Sequence, residues 1–242
     1  MLETPFAHDW RRMDPIELLT KAPIFDGLTP ADLEPLRAAI RTRKFARGAY
    51  LFREGDPGSH LYMVVDGEVM IGRVGEGGGQ LVFAIAGPGE VFGELSLFDD
   101  EGERTADAQA LKPTACLVIV RAPLLRFLTA QPRLLLRIIT SLSVYIKRKD
   151  TTMGDVAFLD ISGRVASKLA ELADVRGRKT SNGIVIDLSL SQRVLAGMVG
   201  ASRENVNRAL RRFSDLGYIR QSAGSITVLD RDSLRHRASS NA

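Results

Sequence analysis

The sequence predicts an α+β protein made of an N-terminal jelly-roll-like β-roll, one long helix and a C-terminal helix-turn-helix. Three observations predict this fold. Short apolar strands alternate with glycine-rich turns between residues 44 and 120. An apolar repeat at steps of three and four follows after residue 131, and a glycine joins two amphipathic helices near residue 200. We therefore expect three parts, residues 1–130, 131–160 and 161–242.

Composition limits the classes of protein to consider. The chain has 242 residues, of which 45% are hydrophobic and 26% charged, which suits a folded protein of one or two domains. We find neither the roughly 18 unbroken apolar residues of a membrane helix nor a signal peptide, and so expect a cytoplasmic protein without a membrane partner. Cys116, the single cysteine, excludes an intrachain disulfide. We interpret it as a buried strand residue, with a redox sensor as the alternative.

The first segment predicted to fold is helical, from about Met13 to Ile40. Asp14-Pro15 and Thr29-Pro30 each place a capping residue before a proline, which is typical of a helix start. The strand-rich region then runs from Lys44 to Val120, with turns at EGDPG, DG, GEGGG and GPGE. Many short strands with glycine corners predict a sandwich or a barrel-like roll.

A helix is predicted from Ala122-Pro123, with an interruption near Gln131-Pro132 and a long continuation. Its apolar repeat contains Leu134, Ile138, Leu142, Tyr145, Lys149, Thr152 and Val156. This face either meets the same helix of a second chain or packs on the β-roll. We favour a dimer seam, because a helix of about 40 Å is longer than a small roll can cover.

The C-terminal third carries the basic charge of the chain. From Ile161 onward there are 14 Lys and Arg against 7 Asp and Glu, whereas the preceding residues have 19 against 22. This asymmetry indicates a polyanionic partner for the C-terminal part alone.

The helix-turn-helix is predicted in LSLSQRVLAGMVGASRENVNRALRRFSDLGYIR. Gly200 makes the turn and Ser202 caps the second helix, whose buried stripe contains Val206, Leu210 and Phe213. The outward residues are Arg203, Glu204, Asn207, Arg208 and Arg211. Such a helix in the major groove reads bases with its first residues and meets phosphates further along. The alternative is an ordinary charged helical face. Two strands around Ala223-Gly224 are expected to form a wing.

Three stretches in this order resemble the CRP/FNR family of bacterial transcription regulators over residues 16–229. EGDPGSHLYMVVDGEV is similar to the family's β-roll hairpin, FGELSLFDDEGERTADA to its phosphate-binding cassette and VGASRENVNRAL to its recognition helix. The resemblance implies a cyclic-nucleotide-binding β-roll, a dimerisation helix and a winged helix-turn-helix. It favours the cyclic-AMP-responsive type, because one cysteine and three histidines provide few ligands for an iron-sulfur cluster or a haem.

The resemblance assigns a nucleotide site to the cassette. Arg104 offers a fork to the phosphate and Thr105 adds a hydroxyl and an amide, while Glu94 accepts a hydrogen bond from the ribose 2′-hydroxyl. Gly93 permits close approach, and the first amides of a short helix at Leu95 and Ser96 face the same phosphate. The alternative is that Glu94 and Arg104 pair with each other or with nearby acids.

The residues that contact the base are less clear from the sequence. The family positions that contact adenine fall on Lys149 and Asp150, with Thr151 and Thr152 displaced from them. Lys149 and Thr152 share one helical face, so either could reach the base. We expect cyclic AMP. Cyclic GMP and a ligand-independent regulator remain alternatives.

By the same resemblance, a homodimer binds double-stranded DNA at a palindromic TGTGA-like site. Arg203, Glu204 and Arg208 would read bases, with Ser191 and Gln192 near phosphates. The DNA-binding parts would follow a hinge at residues 158–162, and residues 175–183 would contact RNA polymerase. A ligand shifts the population towards DNA-competent dimers only as far as it binds them more tightly.

We expect neither catalysis nor a metal site. The sequence has no pair of histidines one residue apart, as a cupin-type oxygenase would need, and no nucleophile elbow. The remaining alternative class is a cyclic-nucleotide-binding module that controls a protein partner. The outward Arg203, Glu204 and Arg208 argue against that class.

Overall fold

The computed structural model describes residues 10–75, 79–98, 102–186, 191–222 and 224–239, apart from the side chains of Ser141, Arg148 and Lys149. The chain divides into two units. The first comprises Met1–Arg73 and Phe83–Val144, and the second comprises Val74–Val82 and Tyr145–Ala242.

The N-terminal segment folds into short helices, as the sequence predicts. Asp14 and Thr29 cap the two α-helices: the Asp14 carboxylate accepts from the Ile16 amide, and Thr29 forms a reciprocal capping box with Asp32. Each helix is brief because a proline restarts the chain every few residues. The elements are 3-10 helix Trp10–Arg12, α1 Pro15–Leu19, 3-10 helix Pro23–Phe25, α2 Pro30–Leu33 and 3-10 helix Glu34–Ala39.

The predicted β-roll forms from two four-stranded antiparallel sheets. It begins at Ile40 rather than Lys44, because the chain pairs with the last strand of the roll as soon as the 3-10 helix ends. The sheet orders are β1-β8-β3-β6 and β2-β7-β4-β5. The strands are β1 Ile40–Phe45, β2 Tyr50–Phe52, β3 His60–Asp66, β4 Val69–Val74, β5 Gln80–Ala86, β6 Val91–Phe92, β7 Asp107–Ala110 and β8 Thr114–Val120.

The interior of the roll contains an aromatic cluster. The ring centroids of Tyr62 and Phe92 lie 5.3 Å apart, and those of Phe52 and Tyr62 lie 5.4 Å apart. Cys116 is fully buried in the same cluster, and burial raises the pKa of its thiol to about 12. The expectation of a buried strand residue is confirmed. A thiol held in its neutral form is a poor redox sensor.

The long helix α4 spans Pro132–Phe158 and follows α3, Arg121–Thr129, with the predicted interruption between them. The predicted dimer seam is wrong for its first turns. Leu134 and Ile138 are 2% and 5% exposed and pack with the N-terminal helices and α3 of their own chain, with Leu142 partly buried against the same cluster. That face is therefore already covered.

A different face of α4 is apolar and exposed. Leu136, Ile139, Ile146 and Met153 lie at heptad spacing and are between 57% and 71% exposed. Val144, Val156 and Phe158 are further exposed apolar side chains on this helix. The apolar stripe, as we call Leu136, Ile139, Ile146 and Met153, is the face of α4 that its own chain leaves unburied.

The second unit contains a helix-turn-helix and a four-stranded antiparallel sheet, in the order β11-β12-β10-β9. The wing is the β11–β12 hairpin, and Ala223 of its predicted turn lies outside the described residues. The sequence did not predict the last helix, α8. The elements are α5 Ile161–Arg176, β9 Arg178–Thr180, β10 Gly183–Ile186, α6 Gln192–Val199, α7 Arg203–Asp215, β11 Ile219–Ser222, β12 Ser225–Val228 and α8 Arg231–Ser239.

Candidate ligand pocket and nucleic-acid interface

The guanidinium of Arg104 lies inside the β-roll, and the residue is only 4% exposed. Its Nη1 donates to the Gly93 carbonyl at 2.9 Å and to Ser96 Oγ at 2.8 Å. Its Nη2 donates to the His60 carbonyl at 2.6 Å. Three neutral acceptors from β3 and the cassette thus orient one buried cation.

No carboxylate of the described residues forms an ion pair with Arg104. The guanidinium carbon instead lies 4.2 Å from the centroid of Phe52 and 5.6 Å from that of Tyr62, which supplies cation–π attraction. Its Nε is buried without a hydrogen-bond partner. Burial lowers the pKa of Arg104, partly offset by the charges of Tyr62, Asp56 and Glu94. A desolvated cation with an unused donor is the environment in which an anion binds strongly.

Glycine is required where the backbone meets this cation. Gly93 has φ +82°, and a Cβ there would lie 2.7 Å from Arg104 Nη1. Gly58, in the turn before β3, lies against Ser96, where a Cβ would come within 2.3 Å of Oγ. Any side chain at either position would displace the guanidinium or the hydroxyl that it binds. The structure thus brings Gly93, Ser96 and Arg104 together.

Glu94 does not join them. No hydrogen bond or ion pair connects its carboxylate to Arg104, and Glu94 instead lines a small apolar cleft. The other residues that line this cleft are Ile24, Phe25, Leu61, Leu97, Phe98, Leu124, Leu128 and Ile138. Burial raises the pKa of Glu94, and its own backbone amide and the charge of Arg104 offset this only in part. The alternative prediction of a direct Glu94–Arg104 pair is therefore wrong, and the contact of Glu94 with the ribose stays a prediction.

The other predicted ligand residues lie at the edge of this site or outside it. Thr105 is exposed, and its carbonyl accepts from Arg73 Nε at 3.2 Å. Leu95 begins the expected 3-10 helix, Leu95–Leu97, and is also exposed. Thr152 is half-buried on α4, while the side chain of Lys149 lies outside the described residues. Base contact by Lys149 or Thr152 stays a prediction.

Sequence reasoning missed the aromatic floor of the site. Phe52, Tyr62 and the His60 carbonyl come from β2 and β3, distant in sequence from the cassette. The apolar composition of these strands could have indicated that Tyr62 and Phe52 are buried. It could not have indicated which buried side chain they contact, because the pairing of β2 with β7 sets that contact.

The helix-turn-helix forms, with Ser202 as the predicted cap of its second helix and Ser191 as a further cap that the sequence did not predict. Ser191 Oγ accepts from the Val194 amide at 3.3 Å to begin α6, and Ser202 Oγ accepts from the Asn205 amide at 3.3 Å to begin α7. Gly200 ends α6 with φ 61° and ψ 47°, the left-handed conformation that glycine favours. Arg164 on α5 donates to the Val199 carbonyl at 2.9 Å and so fixes the turn from behind.

The outer face of α7 is polar and exposed. Val206, Leu210 and Phe213 are buried beneath it, as predicted. A shallow groove runs along the outer face, lined by Glu204, Asn207, Arg208, Arg211, Arg212 and Asp215. Ser202, Arg203, Glu204, Arg208 and Arg211 are exposed, as are Ser191 and Gln192 at the start of α6. Hydrogen bonds from its own backbone and from Ser202 lower the pKa of Glu204, which keeps it an acceptor.

Asn207 is the exception on this face. It is half-buried, and its Oδ1 is buried without a partner, so the carbonyl of its amide turns away from solvent. A contact from Asn207 to a base would require its side chain to rotate.

Comparison with known proteins agrees with this architecture. A cyclic nucleotide-binding domain model matches residues 42–131, and a Crp-like helix-turn-helix domain model matches residues 163–237. A CRP-like cAMP-activated global transcriptional regulator of Mycobacterium tuberculosis is 34% identical over 92% of this chain and 99% of its own length. The chain belongs to the CRP/FNR family of transcription regulators. Its β-roll is thus the family's cyclic nucleotide-binding domain, and its second unit holds the family's DNA-binding helix-turn-helix.

Two further CRP/FNR-like proteins show the range of ligands named for relatives. A cyclic AMP receptor protein of Thermus thermophilus is 31% identical over 86% of this chain and 92% of its own length. The structure of a c-di-GMP responsive global regulator of Xanthomonas campestris aligns with a TM-score of 0.70 and 25% identity, over 83% of this chain and 99% of that one. Membership of the family therefore leaves the choice of nucleotide open.

The described part of the chain contains neither a cluster of metal ligands nor a helix that could span a membrane. No group of three or more His, Cys, Asp or Glu side chains could hold a metal ion there. Within the same residues, every helix is too short or too polar to cross a lipid bilayer.

Proposed function

We propose that this chain is a homodimeric transcription regulator that binds cyclic AMP in its β-roll and a palindromic, TGTGA-like DNA site with its recognition helices. The observation that carries the proposal is the buried guanidinium of Arg104, which has no anionic partner among the described residues and whose Nε has no hydrogen-bond partner. A cyclic phosphodiester supplies one negative charge and several acceptor oxygens, which this cation lacks.

A phosphate oxygen can bind the unpaired Nε of Arg104 directly, whereas binding at the terminal nitrogens requires an exchange of hydrogen bonds. The Gly93 and His60 carbonyls and Ser96 Oγ now occupy the terminal nitrogens of Arg104. A charged acceptor forms stronger hydrogen bonds to a guanidinium than neutral carbonyls do, so the exchange favours the ligand. Ser96 Oγ, once released, can donate to a phosphate oxygen. The glycine at position 93 leaves the backbone open for close approach.

Recognition of the ribose requires Glu94 to leave its apolar cleft. A charged carboxylate is the stronger acceptor for the 2′-hydroxyl, and burial in the cleft disfavours that form. Ligand binding therefore moves Glu94 and the 3-10 helix that follows it. This rearrangement offers a route by which the cassette responds to the nucleotide.

The outer face of α7 supports recognition of the DNA. Arg203, Glu204 and Arg208 are exposed near the N-terminal end of this helix, where side chains reach base edges in the major groove. A guanidinium can bind guanine O6 and N7, and the ionised Glu204 can accept from cytosine N4. Ser191 and Gln192 lie at the N-terminus of α6, which favours phosphate.

The apolar stripe on α4 supports the homodimer. Large apolar side chains at heptad spacing, more than half exposed, are expected to pack against a second copy of the same helix. The proposed contact with RNA polymerase at residues 175–183 stays a prediction. This segment contains the hairpin of β9 and β10, and Arg178 and Lys179 are exposed on it.

Calorimetry and DNA-shift assays test the proposal together. The full chain is titrated with cyclic AMP, cyclic GMP and cyclic di-GMP, and its affinity for a TGTGA-containing palindrome and for random DNA is measured with each. We expect cyclic AMP to bind most tightly and to raise the affinity for the palindrome alone. Sequence-specific DNA binding that no nucleotide changes would instead identify a ligand-independent regulator.

A further inference from the structure

The junction between α4 and α5 consists of two residues, Leu159 and Asp160. The helical hydrogen bonds of α4 continue to the Leu159 amide, which donates to the Asp155 carbonyl at 2.9 Å. Asp160 then adopts an extended conformation with φ −66° and ψ 171°. Its Oδ1 accepts from the Gly163 amide at 2.7 Å and so caps α5. The direction in which α5 leaves α4 therefore depends on the backbone and side chain of Asp160.

The C-terminal helix α8 holds this residue. Arg237 Nη2 lies 2.6 Å from Asp160 Oδ1 and 2.5 Å from Oδ2. The Arg237 side chain is 13% exposed, so the ion pair is shielded from solvent on one side. Gly163 makes room for the pair, because a Cβ there would lie 3.2 Å from Asp160 Oδ1 and 3.3 Å from Arg237 Nη1.

Separate contacts fix α8 to α5. Arg231 and Arg235 both pair with Asp174 near the end of α5, the latter at 2.8 Å, and Leu234 is fully buried. The helix thus stays attached to α5 without Arg237. The Arg237–Asp160 pair has a different effect: it attaches Asp160, the junction residue, to the packed helices α5 and α8.

We propose that Arg237 is a positioning residue for ligand control of DNA binding: it holds Asp160 in its capping conformation and thereby fixes the α4–α5 junction. The inference rests on the proposed function, because α4 is the covalent route from the nucleotide-binding roll to the helix-turn-helix. A change in the roll reaches the DNA-binding helices along that route only if the junction transmits it as a defined angle. If the junction samples several angles, a change in the roll does not fix the position of the DNA-binding helices.

The pair can have this effect although a surface ion pair contributes little to global stability. A local equilibrium between a fixed and a loose junction needs only a modest bias. Arg237 Nη2 contacts both carboxylate oxygens of Asp160, and the arginine side chain is largely buried. This contact supplies the bias. The capping bond to Gly163 and the ion pair share Oδ1, so loss of either weakens the orientation of the other.

The test uses three variants of the full chain. Arg237→Met removes the ion pair and keeps the length of the side chain. Asp160→Asn removes the charge and keeps an N-capping acceptor. Arg235→Met is the matched control, since it removes the same charge from the same helix at the pair with Asp174, which Arg231 also holds. Thermal unfolding of each variant reports any general loss of stability.

Two measurements report on the junction. The first is the ratio of DNA affinities with and without saturating cyclic AMP. Arg237→Met and Asp160→Asn are each expected to reduce this ratio at least threefold. The double variant should reduce it no further than either single variant, and Arg235→Met should reduce it less than twofold. The second is amide hydrogen exchange in the first turn of α5 without nucleotide or DNA, which should accelerate at least threefold in the two junction variants and not in the control.

The proposal fails if the two junction variants keep the wild-type affinity ratio, or if exchange in the first turn of α5 matches that of Arg235→Met. It also fails if the double variant reduces the affinity ratio by as much as the two single variants combined. If wild-type DNA binding does not respond to cyclic AMP, the proposed function fails and the exchange experiment alone decides whether Arg237 fixes the junction.

Discussion

At the scale of single residues, Arg104 determines what the β-roll can bind. Its guanidinium lost its hydration on folding and gained three neutral acceptors, an aromatic face and no described counter-ion. Hydrogen bonds to a charged group contribute about 1.5–3 kcal/mol each. A cation so placed makes the affinity of the pocket depend on an anion more than on the shape of the ligand.

We predict that Arg104→Ala weakens cyclic nucleotide binding by at least ~10- to 100-fold, because a charge-assisted hydrogen bond to the phosphate is lost. Calorimetric titration of the purified variant measures the loss. Arg53→Ala is a suitable control, since Arg53 is an exposed arginine of the same roll that stacks on Tyr50. A normal titration curve for Arg104→Ala in a folded protein would reject the pocket.

Glu94 gives a prediction about pH. Burial raises its pKa, so the ligand-free folded chain binds this proton more tightly than the unfolded chain does. Its contribution to stability is therefore fully present below the ordinary glutamate pKa and is lost as the pH rises through the raised value. Glu94→Gln should raise the melting temperature of the ligand-free protein at neutral pH, and the advantage should vanish in acid.

Thermal unfolding of both proteins from about pH 4 to pH 8 measures this difference, with Glu90→Gln as a control on the same strand connection. The charged groups that affect Glu94 are few: Arg104 lowers its pKa, and the other residues of the cleft are apolar. A pH-independent difference between Glu94→Gln and the wild type would show that Glu94 does not occupy the apolar cleft.

At the scale of elements, the proposed function assigns base reading to the first turn of α7 and phosphate contact to its later turns. Arg203 and Glu204 occupy its first turn, whereas Arg211 lies two turns further on. We predict that Arg203→Ala or Glu204→Ala weakens binding to the palindrome by about 1–3 kcal/mol and relaxes the preference at one base pair. Arg211→Ala should weaken binding to all sequences alike.

Competition shift assays with single-base substitutions in the palindrome distinguish these outcomes. Arg220→Ala, an exposed arginine on the wing strand β11, serves as a control for a simple loss of positive charge. Base reading by α7 is wrong if all four variants lose the same affinity for the palindrome and for random DNA.

The elements that the sequence predicts correctly are those whose signals are local. Asp14, Thr29 and Ser202 each cap a helix where the sequence places a helix start, and Gly200 takes the left-handed conformation. Each signal involves a side chain and an amide a few residues away. Such contacts can be inferred without knowledge of the fold.

The predictions that failed depend on contacts between distant residues. The repeat containing Leu134 and Ile138 correctly marked a buried face, but periodicity cannot tell whether the same chain or a second one buries it. The helix α8 escaped notice because its sequence is mostly polar, with one buried apolar residue, Leu234. Its arginines form ion pairs with Asp174 and Asp160, which lie 61 and 77 residues earlier in the chain. A pattern of neighbouring residues cannot indicate such contacts.

At the scale of the whole molecule, charge and apolar surface divide the tasks along the chain. The residues before Ile161 carry net negative charge and those after it net positive charge, so the attraction to a polyanion belongs to the C-terminal part. The long helix between the two parts exposes the apolar stripe. A palindromic site needs two recognition helices about 34 Å apart, which one copy of the chain cannot supply.

The apolar stripe yields the last prediction. Ile139→Glu and Ile146→Glu together should convert the proposed dimer to a monomer, because symmetry would bring like charges together in a seam that is expected to bury these isoleucines. Analytical ultracentrifugation measures the change, and Leu216→Glu, an exposed leucine outside α4, is the control. The monomer should keep its affinity for an isolated half-site and lose most of its affinity for the palindrome. A dimer that survives both substitutions would place the seam on another surface.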